Sequence, residues 1–460
     1  MNSATLPDAG LLSKYDRPVP RYTSYPTVPY WKEGISKQAW QNDLQSQFCN
    51  RNPQEGIALY VHLPFCETLC TYCGCNKKIT RNHSVEDPYI EAILQEWSVY
   101  RSWISETPLI REIHFGGGTP TFFSPDNLRI LVEGLLENCR VAEDAAFSIE
   151  GHPNNTTIDH LSTLAALGFK RISYGVQDLD PKVQVAINRI QPFEHVQAAV
   201  DNARAMGFES VNLDLVYGLP FQQAEGLRET IEKILLLKPD RIAFYSYAHV
   251  PWKSRSQRLY DENDLPPAAE KLQLQEIGRA LFREQGYEDI GMDHFALPGD
   301  ELYKAREEGR LHRNFMGYTV TASTMLIGLG VSAISDTGTA LVQNEKELGN
   351  YLAAIKRQET AVYRGHFLNE EDRLFRRHII DIACKGKTTL NDDPAGLLRQ
   401  YTWPVLEDLQ KDGLVIIEDQ TISLTGTGRY FLRNICSAFD IYLQQQQQSN
   451  LTRPAFSKSI

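Results

Sequence analysis

The sequence predicts an α/β fold in which parallel βα units close at least partway into a barrel, with an N-terminal arm and a mostly helical, winged-helix-like C-terminal domain. Three observations carry this. Six short apolar segments between residues 57 and 246 each lead into helical sequence, the alternation that builds a parallel sheet. The first 55 residues show no such alternation. In the last hundred residues the pattern changes to helix, helix, a small hairpin and helix.

The strands are IALYVHL (57–63), EIHF (112–115), AFSIE (146–150), RISYGV (171–176), VNLDLVYG (211–218) and RIAFYS (241–246). Helical sequence follows at 88–104, at 125–139 with Ser124 as the capping residue, at 158–167, at 181–188 and 194–206, and at 227–237. Residues 1–55 read as an arm, because 16–30 (DRPVPRYTSYPTVPY) is rich in Pro and Tyr. The barrel and its extension are expected over 56–360 and the winged-helix-like domain over 361–445. In that domain helices at 370–385 and 397–411 precede a wing at 414–424 and a last helix at 426–443. A disordered tail is expected over 446–460, after a Gln run.

The 460 residues are 42% hydrophobic and 23% charged, enough for a large core, and the formal net charge is −11. That balance argues against a nucleic-acid coat, and the acidic LEDLQKDG (406–413) argues against a DNA-reading wing. No apolar leader opens the chain, so a cytoplasmic place is expected. The longest uncharged run, between Arg313 and Asp336, reads as a buried barrel strand with flanking loops, not a membrane span.

Four of the eight cysteines fall in one ten-residue window, Cys66, Cys70, Cys73 and Cys75. In a reducing compartment such a cluster points to metal or redox chemistry. Structural zinc would want a second Cys or His pair to close a tetrahedron, and none follows. An iron–sulfur cluster remains. Spacings of four and three let one loop present Cys66, Cys70 and Cys73, while Cys75 would point elsewhere. Three ligands on a four-iron cube leave one iron open. Gly116-Gly117-Gly118 follows a strand, and successive glycines free backbone N–H groups for a charged ligand, although an ordinary tight turn would look the same. Glu150 ends a strand, where barrel active sites form. Asp214, Gln177 and Arg189 are polar residues at or just past strand ends. Asp214 is equally readable as a buried structural carboxylate.

The CxxxCxxC loop after an apolar strand, with Tyr72 before the third cysteine, resembles the signature of radical S-adenosylmethionine (SAM) enzymes. The resemblance implies a partial (β/α)6 TIM-like barrel and a [4Fe-4S] cluster held by Cys66, Cys70 and Cys73. It also implies SAM on the open iron, cleaved to a 5′-deoxyadenosyl radical. RPVPRYTSYPT, HFGGGTPT, DLVYGLPFQ, YSYAHVPW, GMDHFA, LHRNFMGY and LGVSAIS, from Arg17 to Ser335, are similar in content and order to the oxygen-independent coproporphyrinogen III oxidase family. This implies oxidative decarboxylation of two propionates of coproporphyrinogen III to vinyls in porphyrin biosynthesis. It also implies two SAM molecules. Tyr60, Gly117, Glu150 and Ile334 would contact the first, with Tyr60, Glu150 and Ile334 at the reaction centre. Tyr72, Gly118, Thr119, Gln177, Arg189, Asp214 and Ala248 would contact the second. A flavodoxin- or ferredoxin-like electron donor, an electron acceptor and a monomeric chain are expected with it.

The substrate is a tetracarboxylate, and Arg21, His312 and Arg313 are candidate cations for it. Three departures from the family pattern stand near the expected substrate face: Met316 for a Gln, TASTML (321–326) for an acidic stretch, and GHPNN (151–155) for an Asp-Pro-Arg-like turn. The alternative is a paralogue on the same scaffold that acts on haem, as a chaperone or a methyltransferase. The RYTSYP arm favours the oxidase family.

Overall fold

The computed structural model describes residues 7–252, 254–320, 323–391, 393, 396–448 and 456–458. The arm holds two helices, α1 (Ala9–Tyr15) and α2 (Lys37–Arg51), where the sequence suggested irregular chain. Ser36 caps α2 by accepting from Ala39 N–H, and Trp40, Leu44 and Phe48 bury one face of it at helical spacing.

Six parallel strands follow: β1 (Ile57–Leu63), β2 (Leu109–Gly117), β3 (Arg140–Gly151), β4 (Phe169–Gln177), β5 (Ser210–Tyr217) and β6 (Arg241–Ser246). They lie side by side in sequence order. All seven residues of β1 are buried, as expected for a strand covered on both faces. The covering helices are α3 (Glu86–Trp103), α4 (Pro125–Leu136), α5 (Ile158–Ala166), α6 (Pro181–Ala186), α7 (Phe193–Ala205) and α8 (Ala224–Leu236). Ser124 caps α4 by accepting from Asn127 N–H, with Pro125 at the first helical position, as the sequence suggested.

The sheet extends beyond the six. After α9 (Ala268–Glu284), β7 (Glu288–Gly291) and β8 (His294–Ala296) add antiparallel strands next to β6. Past α10 (Glu301–Glu307), a separate hairpin, β9 (His312–Asn314) with β10 (Gly317–Thr319), sets Phe315 edge-on to Tyr60, ring centroids 4.7 Å apart. Thr319 Oγ1 then donates to the Glu112 carboxylate at 3.3 Å. Strand β11 (Leu326–Leu329) pairs parallel with β1, and β12 (Ile334–Asp336), β13 (Ala340–Asn344) and β14 (Val362–Phe367) continue antiparallel. The uncharged run does hold a fully buried strand, β11.

After α11 (Leu348–Lys356), the C-terminal part packs α12 (Glu370–Lys385), β15 (Lys387–Thr389), α13 (Trp403–Lys411), β16 (Val415–Glu418), β17 (Thr421–Leu424), α14 (Leu432–Ser437) and α15 (Ile441–Gln448). Its apolar core includes Tyr15, Tyr22 and Tyr25 of the arm. Tyr22 Oη donates to Asp440 at 3.0 Å, and Tyr25 Oη accepts from Ile441 N–H at 3.2 Å. The arm therefore belongs to the second core. Residues 446–448 continue α15, and Ser457 and Lys458 lie against Val19 and Pro18. The rest of the expected tail, 449–455 and 459–460, lies outside the described residues. Among the described residues, no helix is long and apolar enough to cross a membrane.

Candidate active site

The C-terminal ends of β1–β6 open into a cavity of about 1170 Å3. Cys66, Cys70, Cys73 and Cys75 line it together with Tyr72, Gly117, Gly118, Thr119, Glu150, Gln177, Arg189, Asp214 and Ala248. Four cysteines thus line the cavity from one loop, the three of the CxxxCxxC set and also Cys75, which the sequence suggested would point elsewhere but which hydrogen-bonds Cys73. Thr119 Oγ1 donates to Cys66 Sγ at 3.3 Å, and Arg189 Nη1 donates to Cys70 Sγ at 3.5 Å. A hydrogen bond from Cys75, aided by Lys77 and Arg189, draws the Cys73 thiol down to about 6 against the effect of burial. Burial pushes Cys66 up to about 11, with Thr119 opposing. Donors and cations gathered on sulfur suit thiolate ligands. Among the described residues no three His, Cys, Asp or Glu side chains converge as on a single ion. A four-iron cube asks for something else, because its cysteines bind separate irons. The donor set fits such a cluster.

The glycine loop is fixed by close approach. A Cβ on Gly118 would lie 2.5 Å from the Pro64 carbonyl oxygen, and one on Gly117, where φ is +116°, would lie 2.7 Å from the His62 ring. Gly117 N–H donates to Glu150 Oε2 at 3.1 Å, and His114 Nε2 stands 3.6 Å from Oε1. Burial raises the Glu150 carboxyl, but His114, the Gly117 N–H and His62 outweigh it and leave it below the usual carboxylate value. Its side chain, 45% exposed, turns this charge toward the cavity. This is a suitable counter-charge for an amine or sulfonium.

The far wall carries Asp214, held by Ser173 Oγ at 3.3 Å and Asn212 Nδ2 at 2.7 Å. Burial, then the Glu150 charge, raises it to about 7. Gln177 sits at φ +71°, an uncommon conformation for a side-chain-bearing residue. Arg189 donates to the Gly175 carbonyl, and its buried Nε has no partner. An orphaned guanidinium N–H, a carboxyl group on the cavity wall and glycine backbone suit a polar adenosyl ligand.

Two expected site residues are not among those that line the cavity. Tyr60 is buried, packs on Phe315 and joins His62 Nδ1 through its hydroxyl at 2.9 Å. Ile334 sits in β12 with Trp31, Leu341 and Leu368. Of the candidate cations, Arg21 lines the cavity, whereas His312 and Arg313 lie on β9 away from it. The departures also separate. His152, Asn154 and Asn155 of GHPNN are on the cavity wall, and Met316 packs beside Phe315 in the cluster around Tyr60. Of TASTML, residues 321–322 lie outside the described residues, and 323–325 precede β11 at the opposite end of the parallel strands.

The sequence reading missed His62, His114 and His152. His62 Nε2 pairs with the Asn76 carbonyl at 2.8 Å, tying the cluster loop to β1. Burial and Arg189 hold His152 at about 3, neutral. Period-two alternation could have found two of them, because Tyr60 and His62, and His114 and Gly116, each share a strand face, whereas His152 lies just past the end of β3.

Comparison with known proteins agrees with this geometry. Residues 60–234 match the radical SAM superfamily. The chain is 38% identical over 461 residues to the oxygen-independent coproporphyrinogen III oxidase of Pseudomonas aeruginosa, covering 98% of each protein. It is 40% identical over 449 residues to that of Escherichia coli, covering 95% of this chain and 96% of the relative. A solved structure of the Escherichia coli coproporphyrinogen III oxidase, described as a radical SAM enzyme, superposes with a TM-score of 0.87 at 39% identity, over 92% of this chain and 97% of the other. These relatives give no support to the haem-acting alternative. The chain belongs to the oxygen-independent coproporphyrinogen III oxidase family, within the radical SAM superfamily.

Proposed function

We propose that this protein converts two propionates of coproporphyrinogen III to vinyls, giving protoporphyrinogen IX. The observation that supports it most is the meeting of three cysteine thiols, a glycine loop and the Glu150 carboxylate on one cavity at the strand ends. When bound, a [4Fe-4S] cluster and SAM supply a carbon radical able to take a hydrogen atom from an unactivated carbon, which no side chain here can do. Cys66, Cys70 and Cys73 would hold the cluster.

Gly117 and Glu150 would bind the first SAM, with the carboxylate holding its cationic end. Tyr72, Gly118, Thr119, Gln177, Arg189, Asp214 and Ala248 would bind a second, and a place on the cavity wall is the support for each. For Tyr60 and Ile334 the support is sequence resemblance. Each propionate loses CO2, one hydrogen atom from its β-carbon and one electron. The protein's part is to bind, orient and exclude water, and Arg21 stands at the rim for a substrate carboxylate.

An acceptor must take the electron released, and a flavodoxin- or ferredoxin-like donor must reduce the cluster. Exposure of Leu69 and Cys75 on the cluster loop supports an approach from that side. The chain is expected to act as a monomer, and the reducing conditions such a cluster needs fit the cytoplasm. Anaerobic turnover of coproporphyrinogen III with SAM and a reductant, followed by chromatography of the porphyrins, tests the reading. A divinyl dicarboxylate product supports it, and unchanged coproporphyrinogen III contradicts it.

A further inference from the structure

The lower barrel interior holds a buried positive charge with unmet donors. On the inward face of the sheet, Arg171 of β4 lies level with Ser210 of β5, and Asn212 of β5 lies level with Arg241 of β6. His294 of β8 lies across from Ala243, on the same face as Arg241. The β9–β10 hairpin brings Arg313 in from the open side, its guanidinium 4.7 Å from the centre of the Tyr318 ring, which stands 5.4 Å from the His294 ring.

The charges do not balance. Glu112 is 3.7 Å from Arg171, and Asp300 is 2.8 Å from Arg241. Arg313, with 7% of its surface exposed, has no carboxylate partner among the described residues. Its Nε and Nη1, Arg241 Nη2 and His294 Nδ1 are buried without a hydrogen-bond partner among the described residues. Burial, then Arg313 and Arg241, holds His294 at about 3, so its ring is neutral. Tyr245 Oη lies 3.5 Å from His294 Nε2 and can donate to it, leaving Nδ1–H free to donate. Four N–H groups and one uncompensated positive charge remain. A buried guanidinium left in this state is costly. An ionised carboxylate accepts hydrogen bonds, donates none and carries one negative charge, so it answers both deficits. Tyr245 also lines the cofactor cavity, so this cluster borders it.

We propose that Arg313 and Arg241, with His294 Nδ1–H, form a carboxylate site in the barrel interior that anchors one propionate of the tetrapyrrole. This rests on the proposed function and deepens it. Arg313 provides the fork, and Tyr318 fixes its plane.

The test is an anaerobic fluorescence titration of cluster-loaded protein with coproporphyrin III and, separately, with its tetramethyl ester. Arg313→Met is expected to weaken binding of the free acid at least tenfold and to leave ester binding and cluster absorbance unchanged. Addition of bicarbonate should not restore the lost affinity. Equal binding of the free acid by wild type and Arg313→Met overturns the site, as does an equal loss of ester binding. Should Arg313→Met not fold, Arg313→Lys keeps the charge without the fork and is expected to lose affinity several-fold for the acid alone. Wild-type protein that binds no coproporphyrin III would instead refute the proposed function.

Discussion

Replacing Glu150 by Gln keeps the shape of the side chain and removes its charge. In the folded protein the carboxylate accepts from Gly117 N–H at 3.1 Å and faces His114 at 3.6 Å. A hydrogen bond to a charged group contributes about 1.5–3 kcal/mol, against roughly 1 kcal/mol for a neutral pair. The loss on the protein side is thus about 1 kcal/mol, too little to unfold it. The larger loss falls on the cationic ligand, where one charge-assisted contact of about 1.5–3 kcal/mol corresponds to about 10- to 100-fold in Kd. Equilibrium dialysis of SAM against the anaerobic, cluster-loaded Glu150→Gln protein measures it. The pH dependence gives a second reading. Because the Glu150 pKa is lowered in the fold, its stabilising charge is present above the usual 4.5 and is lost only as pH falls through the lowered value. Wild-type SAM affinity should therefore show no loss from this group between pH 8 and pH 5.5. A Glu150→Gln protein that binds SAM as tightly as wild type would refute the reasoning.

Gly117→Ala forces a side chain into φ +116° and onto the His62 ring, which the Tyr60 hydroxyl and the Asn76 carbonyl hold in place. Strain of about 1–3 kcal/mol with overpacking of similar size predicts a loss of about 2–5 kcal/mol in denaturant unfolding. Gly349→Ala, where a Cβ meets nothing within 4 Å, should show no such loss. Glu96 is fully buried, and burial raises it to about 7 despite hydrogen bonds from Gly330 N–H, Tyr351 and Asn344. Its contribution to stability is complete below 4.5 and is lost as pH rises through about 7, about 3 kcal/mol over that window. Glu96→Gln should flatten that part of the stability–pH curve. Tyr22→Phe removes the hydroxyl that donates to buried Asp440 and should cost about 1–3 kcal/mol, read as a lower Tm.

The barrel was legible because its strands are short apolar runs, each closed by a helix with a visible start such as Ser124-Pro125. The cysteine loop and the glycine loop were legible because their chemistry is local in sequence. The arm was not. Tyr15, Tyr22 and Tyr25 look like a linker until their partners, more than 350 residues away, are brought to them. The outer strands β12–β14 were missed because each is three to six residues long and is specified by its neighbours in the sheet. His62 and His114 went unread because a histidine in an apolar strand is more often a core residue; alternation assigns each to a strand face, and the fold brings those faces to Glu150. Arg313 was named as one of three candidate cations, but its neighbours Arg241 and His294 lie in strands of another sheet, and only the fold sets the hairpin beside them.

The central claim is that a propionate β-hydrogen is taken in this cavity. Coproporphyrinogen III deuterated at the propionate β-carbons, turned over anaerobically by the reconstituted protein, tests it most directly by mass spectrometry of the 5′-deoxyadenosine and the porphyrin products. The account predicts deuterium in 5′-deoxyadenosine, loss of one of the two β-deuteriums from each new vinyl group, and two CO2 released for each divinyl product. Unlabelled 5′-deoxyadenosine, or a product that gains a methyl group and keeps all four carboxylates, would contradict it.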